Sequence, residues 1–159
     1  MIIRKAISAD AARVAEIWNA EIRAGVSTFN SVEKSTDDIA GMIAGHGAAF
    51  LVAEHQDAVI GFATYFPFRG GIGYQHSKEH TIYFAEGSRG LGAGRALMDA
   101  LLVAAKEDGV HSMMAGISGE NTAGIRFHTA LGFKQVAHVP EVGYKFDRWM
   151  DLILMQKFL

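Results

Sequence analysis

Two short stretches of this chain carry groups suited to chemistry, and neither contains a thiol. The first is Arg89-Gly90-Leu91-Gly92-Ala93-Gly94-Arg95. Glycines at alternate positions ahead of a helix leave backbone N–H groups unshielded by Cβ atoms, and the helix dipole adds positive potential, so such a segment suits a phosphate or pyrophosphate. The second stretch lies upstream and holds Arg69-Gly70-Gly71 and Glu79-His80. A positioned carboxylate can take a proton from an amine, and a guanidinium presents a planar fork to a carboxylate.

Several familiar sites are ruled out by spacing. A Walker loop needs Gly-Lys, a pair the chain lacks, and a dinucleotide fingerprint read from Gly90 and Gly92 would need its third glycine where Arg95 stands. There is no Gly-x-Ser-x-Gly elbow for a hydrolase. His76 and His80 are four apart but fall on a loop leading into a strand, and no His-Glu-x-x-His supports them, so no metal is expected.

The 159 residues carry a net charge of -2, with a pI near 6.4, and this gives no reason to expect nucleic acid or an anionic membrane as partner. With no cysteine there is neither a disulfide framework nor a thiol nucleophile, which fits a reducing, cytoplasmic setting. MIIRKAISAD turns charged at Arg4 and Lys5 before a signal peptide could develop, and no apolar run approaches the roughly 20 residues of a membrane span. Nothing marks a linker or repeat, so 1–159 reads as a single domain.

The elements that must position these groups follow from periodicity. Residues 2–6 read as a strand, with Ser8 or Asp10 as cap for a helix whose stripe is Val14, Ile17, Trp18 and Ile22. A loop over 24–34 precedes a second helix over about 36–45. Two strands flank Gln56-Asp57 as a hairpin, and Pro67 stops the second. A glycine-rich loop leads to a strand at 80–84. The stripe Leu97, Met98, Leu101, Leu102 and Ala105 marks a helix from Ala93 to about Asp108, stopped by Gly109. A buried strand SMMAGIS, a helix from Asn121 to about Leu131, and the strands FKQVAHV and WMDLILMQKFL complete the chain. The order predicts an α/β fold with a mixed sheet and helices packed on it.

Arg89, Gly92 and Gly94 in this context fill the pattern Arg-x-x-Gly-x-Gly, which resembles the pyrophosphate loop of the GCN5-related N-acetyltransferases (GNAT). HTIYF, HSMMAGISGENTAGIRFHTALGF and VPEVGYKFDRWMDLILMQ narrow the resemblance to the phosphinothricin and methionine-sulfoximine acetyltransferase branch, over nearly the whole chain. The resemblance implies the GNAT fold, a central mixed and mostly antiparallel sheet flanked by helices. It also implies acetyl-CoA as cosubstrate, a small amino acid or analogue as acceptor, and a homodimer. Residue by residue, it assigns the backbone of Ile82, Tyr83 and Phe84 to the pantetheine arm, Gly90, Leu91, Gly92, Ala93, Gly94 and Arg95 to the pyrophosphate, and Asn121 to a cofactor contact that competes with plain helix capping. Glu79 becomes the residue beside the amine, and Arg69 with Gly70 and Gly71 the anchor for a substrate carboxylate.

Where the branch has Arg-x-Phe, this chain has Arg69-Gly70-Gly71, and Ser27-Thr28-Phe29-Asn30-Ser31 replaces its Ile-Trp-Asn-Glu, so the amine set is expected to differ or widen. His128 stands near the place where many relatives carry an acidic tyrosine, with a structural helix-face histidine as the competing role. Other acceptors remain open: a polyamine, an aminoglycoside or a protein N-terminus. So does a non-catalytic acyl-CoA sensor.

Overall fold

The computed structural model describes all residues, Met1–Leu159. The elements run β1 (Ile2–Lys5), α1 (Ala11–Ala24), α2 (Thr36–His46), β2 (Phe50–His55), β3 (Ala58–Pro67), β4 (Ser77–Phe84), α3 (Ala93–Glu107), β5 (Ser112–Ser118), α4 (Thr122–Ala130), β6 (Lys134–Lys145) and β7 (Arg148–Phe158). The strands form one sheet in the order β1-β2-β3-β4-β5-β7-β6. Every neighbouring pair is antiparallel except β4 and β5. This is the mixed, mostly antiparallel sheet that the resemblance implies.

Alternation along β2 divides the core between the two faces of the sheet. Phe50 and Val52 join Val14, Ile17, Trp18 and Ile22 of α1 and Ile39 and Ile43 of α2. Leu51 and Ala53 face the other way, onto the predicted stripe of α3, which is wholly buried. On the first face Trp18 packs against Phe62 at 5.0 Å and Tyr83 at 6.1 Å between ring centroids. Such pairs contribute about 0.5–1.5 kcal/mol each beyond burial, and here they brace β4 from beneath.

Three local expectations change. Neither Ser8 nor Asp10 caps α1 through its side chain; residues 8–10 form a short 3-10 turn. The Asp10 carboxylate instead accepts the Ile7 N–H at 2.8 Å and two bonds from Arg4, whose guanidinium also reaches Glu54. A buried carboxylate facing a guanidinium gains more from the pair than from one helix amide. β4 begins at Ser77, three residues before the expected start, because its first three residues are held by β5 (Ser77 with Ser112, Lys78 with Met113, Glu79 with Met114). β6 runs on past Pro140, which an edge strand tolerates since its outer N–H positions need no partner.

Both two-residue hairpin turns do without glycine. Gln56 and Asp57 have φ of 50° and 60°, and Phe146 and Asp147 have 54° and 57°, the doubly left-handed geometry that matches strand twist. No helix is long and apolar enough to cross a membrane.

Candidate active site

The site originates where the parallel pairing of β4 and β5 stops. Past Glu79 and Met114 the two strands part: His80–Phe84 stay paired only with β3, and Ala115–Ser118 only with β7. The facing edge of β4 is thus left with unpaired backbone groups, which an extended ligand arm can satisfy as an added strand would. Ile82, Tyr83 and Phe84 lie on this edge, opposite Ala63, Phe62 and Gly61 of β3. Their side chains are spent on packing, Tyr83 toward α1 and Ile82 and Phe84 toward α3.

A cavity of about 370 Å³ sits in the opening, lined by Ser27, Thr28, Phe29, Phe66, Glu79, His80, Thr81, Tyr83, Gly116, Ser118 and Leu152. Five of these present hydroxyls, Phe29, Phe66 and Leu152 are apolar, and none is cationic, so an uncharged surface of mixed polarity surrounds the one carboxylate, Glu79. Gly116 makes room for that carboxylate, since a Cβ there would collide with Glu79 Oε1. Burial raises the Glu79 pKa, which brings a carboxylate toward the range useful for taking a proton at neutral pH. The Tyr83 hydroxyl is pushed up to about 12 by burial, with the charges of Glu21 and Glu79 adding to it, so it stays protonated.

Behind the cavity His80 stacks on His128 of α4, with ring centroids 4.9 Å apart and Nε2 to Nε2 at 3.0 Å. His128 Nδ1 lies 2.7 Å from the Gly124 carbonyl, which can only accept, so a neutral His128 carries its proton on Nδ1. Its Nε2 then accepts from His80 Nε2–H, and His80 Nδ1 is left buried without a partner. Burial lowers both imidazoles and keeps the pair neutral. His80 turns its ring to α4 while Glu79 reaches Gly116, although both border the cavity. His76 is remote from this pair, bonded through Nδ1 to the Gly109 carbonyl.

The glycine-rich loop between β4 and α3 keeps its amides free. Gly90, Leu91, Gly92, Ala93, Gly94 and Arg95 donate no backbone N–H to the protein's own backbone, the first helical bond being Ala96 N–H to Gly92. Gly90 and Gly92 take φ of 86° and 72°, which a side chain would oppose. Gly94 is close-packed instead: a Cβ there would meet the Phe127 ring at 3.0 Å. This row of amides at the N-terminus of a fifteen-residue helix fits a pyrophosphate. The Arg95 guanidinium donates to the Ala130 carbonyl at 3.0 Å, at the end of α4.

Asn121 caps α4, its Oδ1 accepting Gly124 N–H at 2.9 Å, and its Nδ2 donates to Ser27 Oγ at 3.2 Å. Arg69, Gly70 and Gly71 are exposed on the loop after β3, outside the cavity lining, and the Arg69 guanidinium stands 5.8 Å from the centre of the Tyr74 ring. Sequence reasoning did not find Gly116, Ser118, Thr81, Phe66 or Leu152 as cavity walls, nor the His80–His128 pair. No local signal marks them, because 48 residues separate the two histidines and only the sheet brings them together.

This geometry agrees with what the chain resembles. Residues 3–154 match the acetyltransferase (GNAT) domain. An L-methionine sulfoximine/L-methionine sulfone acetyltransferase of Salmonella typhimurium is 36% identical over 98% of this chain and 93% of its own length. A GNAT superfamily phosphinothricin acetyltransferase from Sinorhizobium meliloti, solved with acetyl-CoA, superposes with a TM-score of 0.92 at 33% identity, covering 99% of this chain and 88% of that one. A ribosomal-protein-alanine N-acetyltransferase from Brucella melitensis gives 0.95 at 35% identity, with both chains fully covered. With the parted strands, the free amide loop and this match over nearly its whole length, the chain belongs to the GNAT family of acetyltransferases.

Proposed function

We propose that the enzyme moves an acetyl group from acetyl-CoA directly to the α-amine of a small amino acid or analogue, of the methionine sulfoximine, methionine sulfone or phosphinothricin type. The observation that carries this reading is the position of Glu79, where β4 and β5 part, between the free edge of β4 and a cavity sized for a small molecule. Relatives named for these acceptors, among them a phosphinothricin N-acetyltransferase of Alcaligenes faecalis at 29% identity over 93% of this chain, support the acceptor class.

The cosubstrate supplies a thioester whose acyl carbon is attacked and whose sulfur leaves. Glu79 takes a proton from the substrate ammonium, so that nitrogen attacks with a free lone pair; as the C–N bond forms and the C–S bond breaks, nitrogen loses its second proton and the departing thiolate of coenzyme A takes one up. An N–H on the free edge of β4 polarises the carbonyl, a preorganised donor typically contributing about 3–4 kcal/mol in acyl transfer. The amides of residues 90–95 hold the pyrophosphate, with Arg95 and Asn121 beside them. With no cysteine to carry the acetyl group as a thioester, direct transfer is favoured.

Arg69, with Gly70 and Gly71, anchors the substrate carboxylate. It stands three residues beyond Phe66, a cavity wall paired in register with Glu79. Two chains associate as a homodimer through the β6–β7 hairpin, where Val142, Tyr144, Phe146 and Trp149 are exposed. The chain has no cysteine and no use for an oxidising compartment, which supports a cytoplasmic setting.

Thiol release from acetyl-CoA tests the reading against methionine sulfoximine, methionine sulfone, phosphinothricin, polyamines and an alanine-ended peptide. Turnover of the first three is expected. Turnover of the peptide alone would move the acceptor class, and acetyl-CoA binding without turnover of any amine would point to a sensor. Arg69→Ala is expected to raise the KM of a carboxylate-bearing amine about tenfold through loss of a charge-assisted bond.

A further inference from the structure

The loop between α1 and α2, residues 25–35, supplies Ser27, Thr28 and Phe29 to the cavity but belongs to no helix or strand. It is held from across the molecule by Lys145, the last residue of β6. Lys145 is only 5% exposed, and its ammonium donates to the carbonyls of Gly25 at 2.7 Å, Thr28 at 2.9 Å and Glu21 at 3.4 Å. No carboxylate lies within salt-bridge distance of it, so its three donors are directed to backbone.

Two of these carbonyls belong to the C-terminal end of α1, where the helix dipole favours a cation. Gly143 lies two residues earlier on the same strand face, and Phe29 lies over it: a Cβ at 143 would come within 2.5 Å of the ring. The Glu21 carboxylate adds a bond from Ser27 N–H at 3.0 Å. A lysine with this little exposure costs desolvation that an apolar side chain would avoid, and what it gains is a fixed path for the backbone at Gly25 and Thr28.

We propose that Lys145 is a positioning residue for the acceptor amine, acting through the backbone it fixes at Gly25 and Thr28 and so through the wall formed by Ser27, Thr28 and Phe29. The proposal rests on the acetyltransferase reading above. It assigns Lys145 to amine selection; the loop's link toward the residues proposed for acetyl-CoA is the Asn121 Nδ2 bond to Ser27 Oγ, and Lys145 bonds to neither of those residues.

The test compares Lys145→Met, Lys145→Arg and Gly143→Ala with the wild type by steady-state kinetics in each substrate, and by amide hydrogen exchange over residues 26–30 in the free protein. Lys145→Met is expected to raise the amine KM about tenfold, the loss of charged hydrogen bonds, with the acetyl-CoA KM changed less than about twofold. Exchange over 26–30 quickens in the same variant. Lys145→Arg, which keeps a cationic donor, restores most of both effects, and Gly143→Ala, which displaces Phe29 without touching the ammonium, reproduces the KM effect. If Lys145→Met does not fold, the other two variants carry the test. Equal shifts in both KM values, or Lys145→Arg as impaired as Lys145→Met, would overturn the proposal, as would exchange over 26–30 that stays at the wild-type rate. If the wild type acetylates no amine, the acetyltransferase reading fails on its own, and exchange still decides whether Lys145 fixes the loop.

Discussion

The loop that follows β4 and the loop that follows α1 are built on opposite plans. Residues 85–92, before α3, donate two backbone N–H groups to backbone, Ala85 to Ile60 and Ser88 to Ala85, accept Ala96 N–H at Gly92, and otherwise rely on glycines in left-handed conformations. Residues 25–35, after α1, are tied down by side chains: Lys145 on Gly25 and Thr28, Glu21 on Ser27, Asn121 on Ser27, and Asn19 bonded to both backbone groups of Lys34. The first loop offers backbone amides to a ligand and has little use for side chains. The second offers side chains to a ligand and must have its backbone fixed from elsewhere. Recognition of a shared donor molecule suits the first plan, because amides at a helix N-terminus bind any pyrophosphate alike. Selection among acceptors suits the second, because it depends on which side chains face inward and how firmly they are held.

Glu79 stands between the two plans, and removing its carboxylate has the largest expected effect. Glu79→Gln should lower kcat about 100-fold or more, with acetyl-CoA affinity retained. The pH dependence carries a sign. Burial raises the Glu79 pKa, so the wild-type rate falls as pH drops through that raised value, on the alkaline side of an ordinary carboxylate. The same shift means that ionised Glu79 opposes folding above its raised pKa, and this opposition is relieved as pH falls through it. Glu79→Gln should therefore melt at or above the wild-type temperature at neutral pH while being nearly inactive. A variant losing both stability and activity would break the assignment.

A substitution confined to the donor loop sharpens the contrast. At Gly92 φ is 72°, where a β-branched residue is opposed by about 1–2 kcal/mol. Gly92→Val should weaken acetyl-CoA binding about tenfold in calorimetry, the amine KM being unchanged when acetyl-CoA saturates. Lys145→Met is the mirror experiment, on the acceptor side. The smallest effect falls on Asn121, which touches both plans. Asn121→Ala removes the cap of α4 and the bond to Ser27, and should lower stability by about 1 kcal/mol in chemical denaturation. Asn121→Ser, which restores a cap but not the reach to Ser27, separates the two contributions.

The stripes of α1 and α3, the glycine stop at Gly109 and the hairpin at Gln56-Asp57 were legible in the sequence, because each depends on neighbours within a turn or two. The early start of β4 was not. Ser77, Lys78 and Glu79 have no strand pattern of their own, and their partners are 35 residues further along. The donor loop was readable for the same reason as the helices. Its glycines are needed by local backbone geometry, and the groups it leaves free are backbone amides.

The sequence by itself determined the order of elements, the amide loop at 90–95, the carboxylate at 79 and the exposed glycine-rich segment at 69–71. Only the tertiary structure decided where β4 and β5 part, that Gly116 clears a space for Glu79, that His80 meets His128, and that Lys145 reaches Gly25 and Thr28 over 120 and 117 residues of chain. The division has one physical cause. Backbone conformation and amphipathic patterning are set within a few residues, whereas pKa shifts, cavity walls and buried hydrogen bonds depend on what the folded sheet brings alongside.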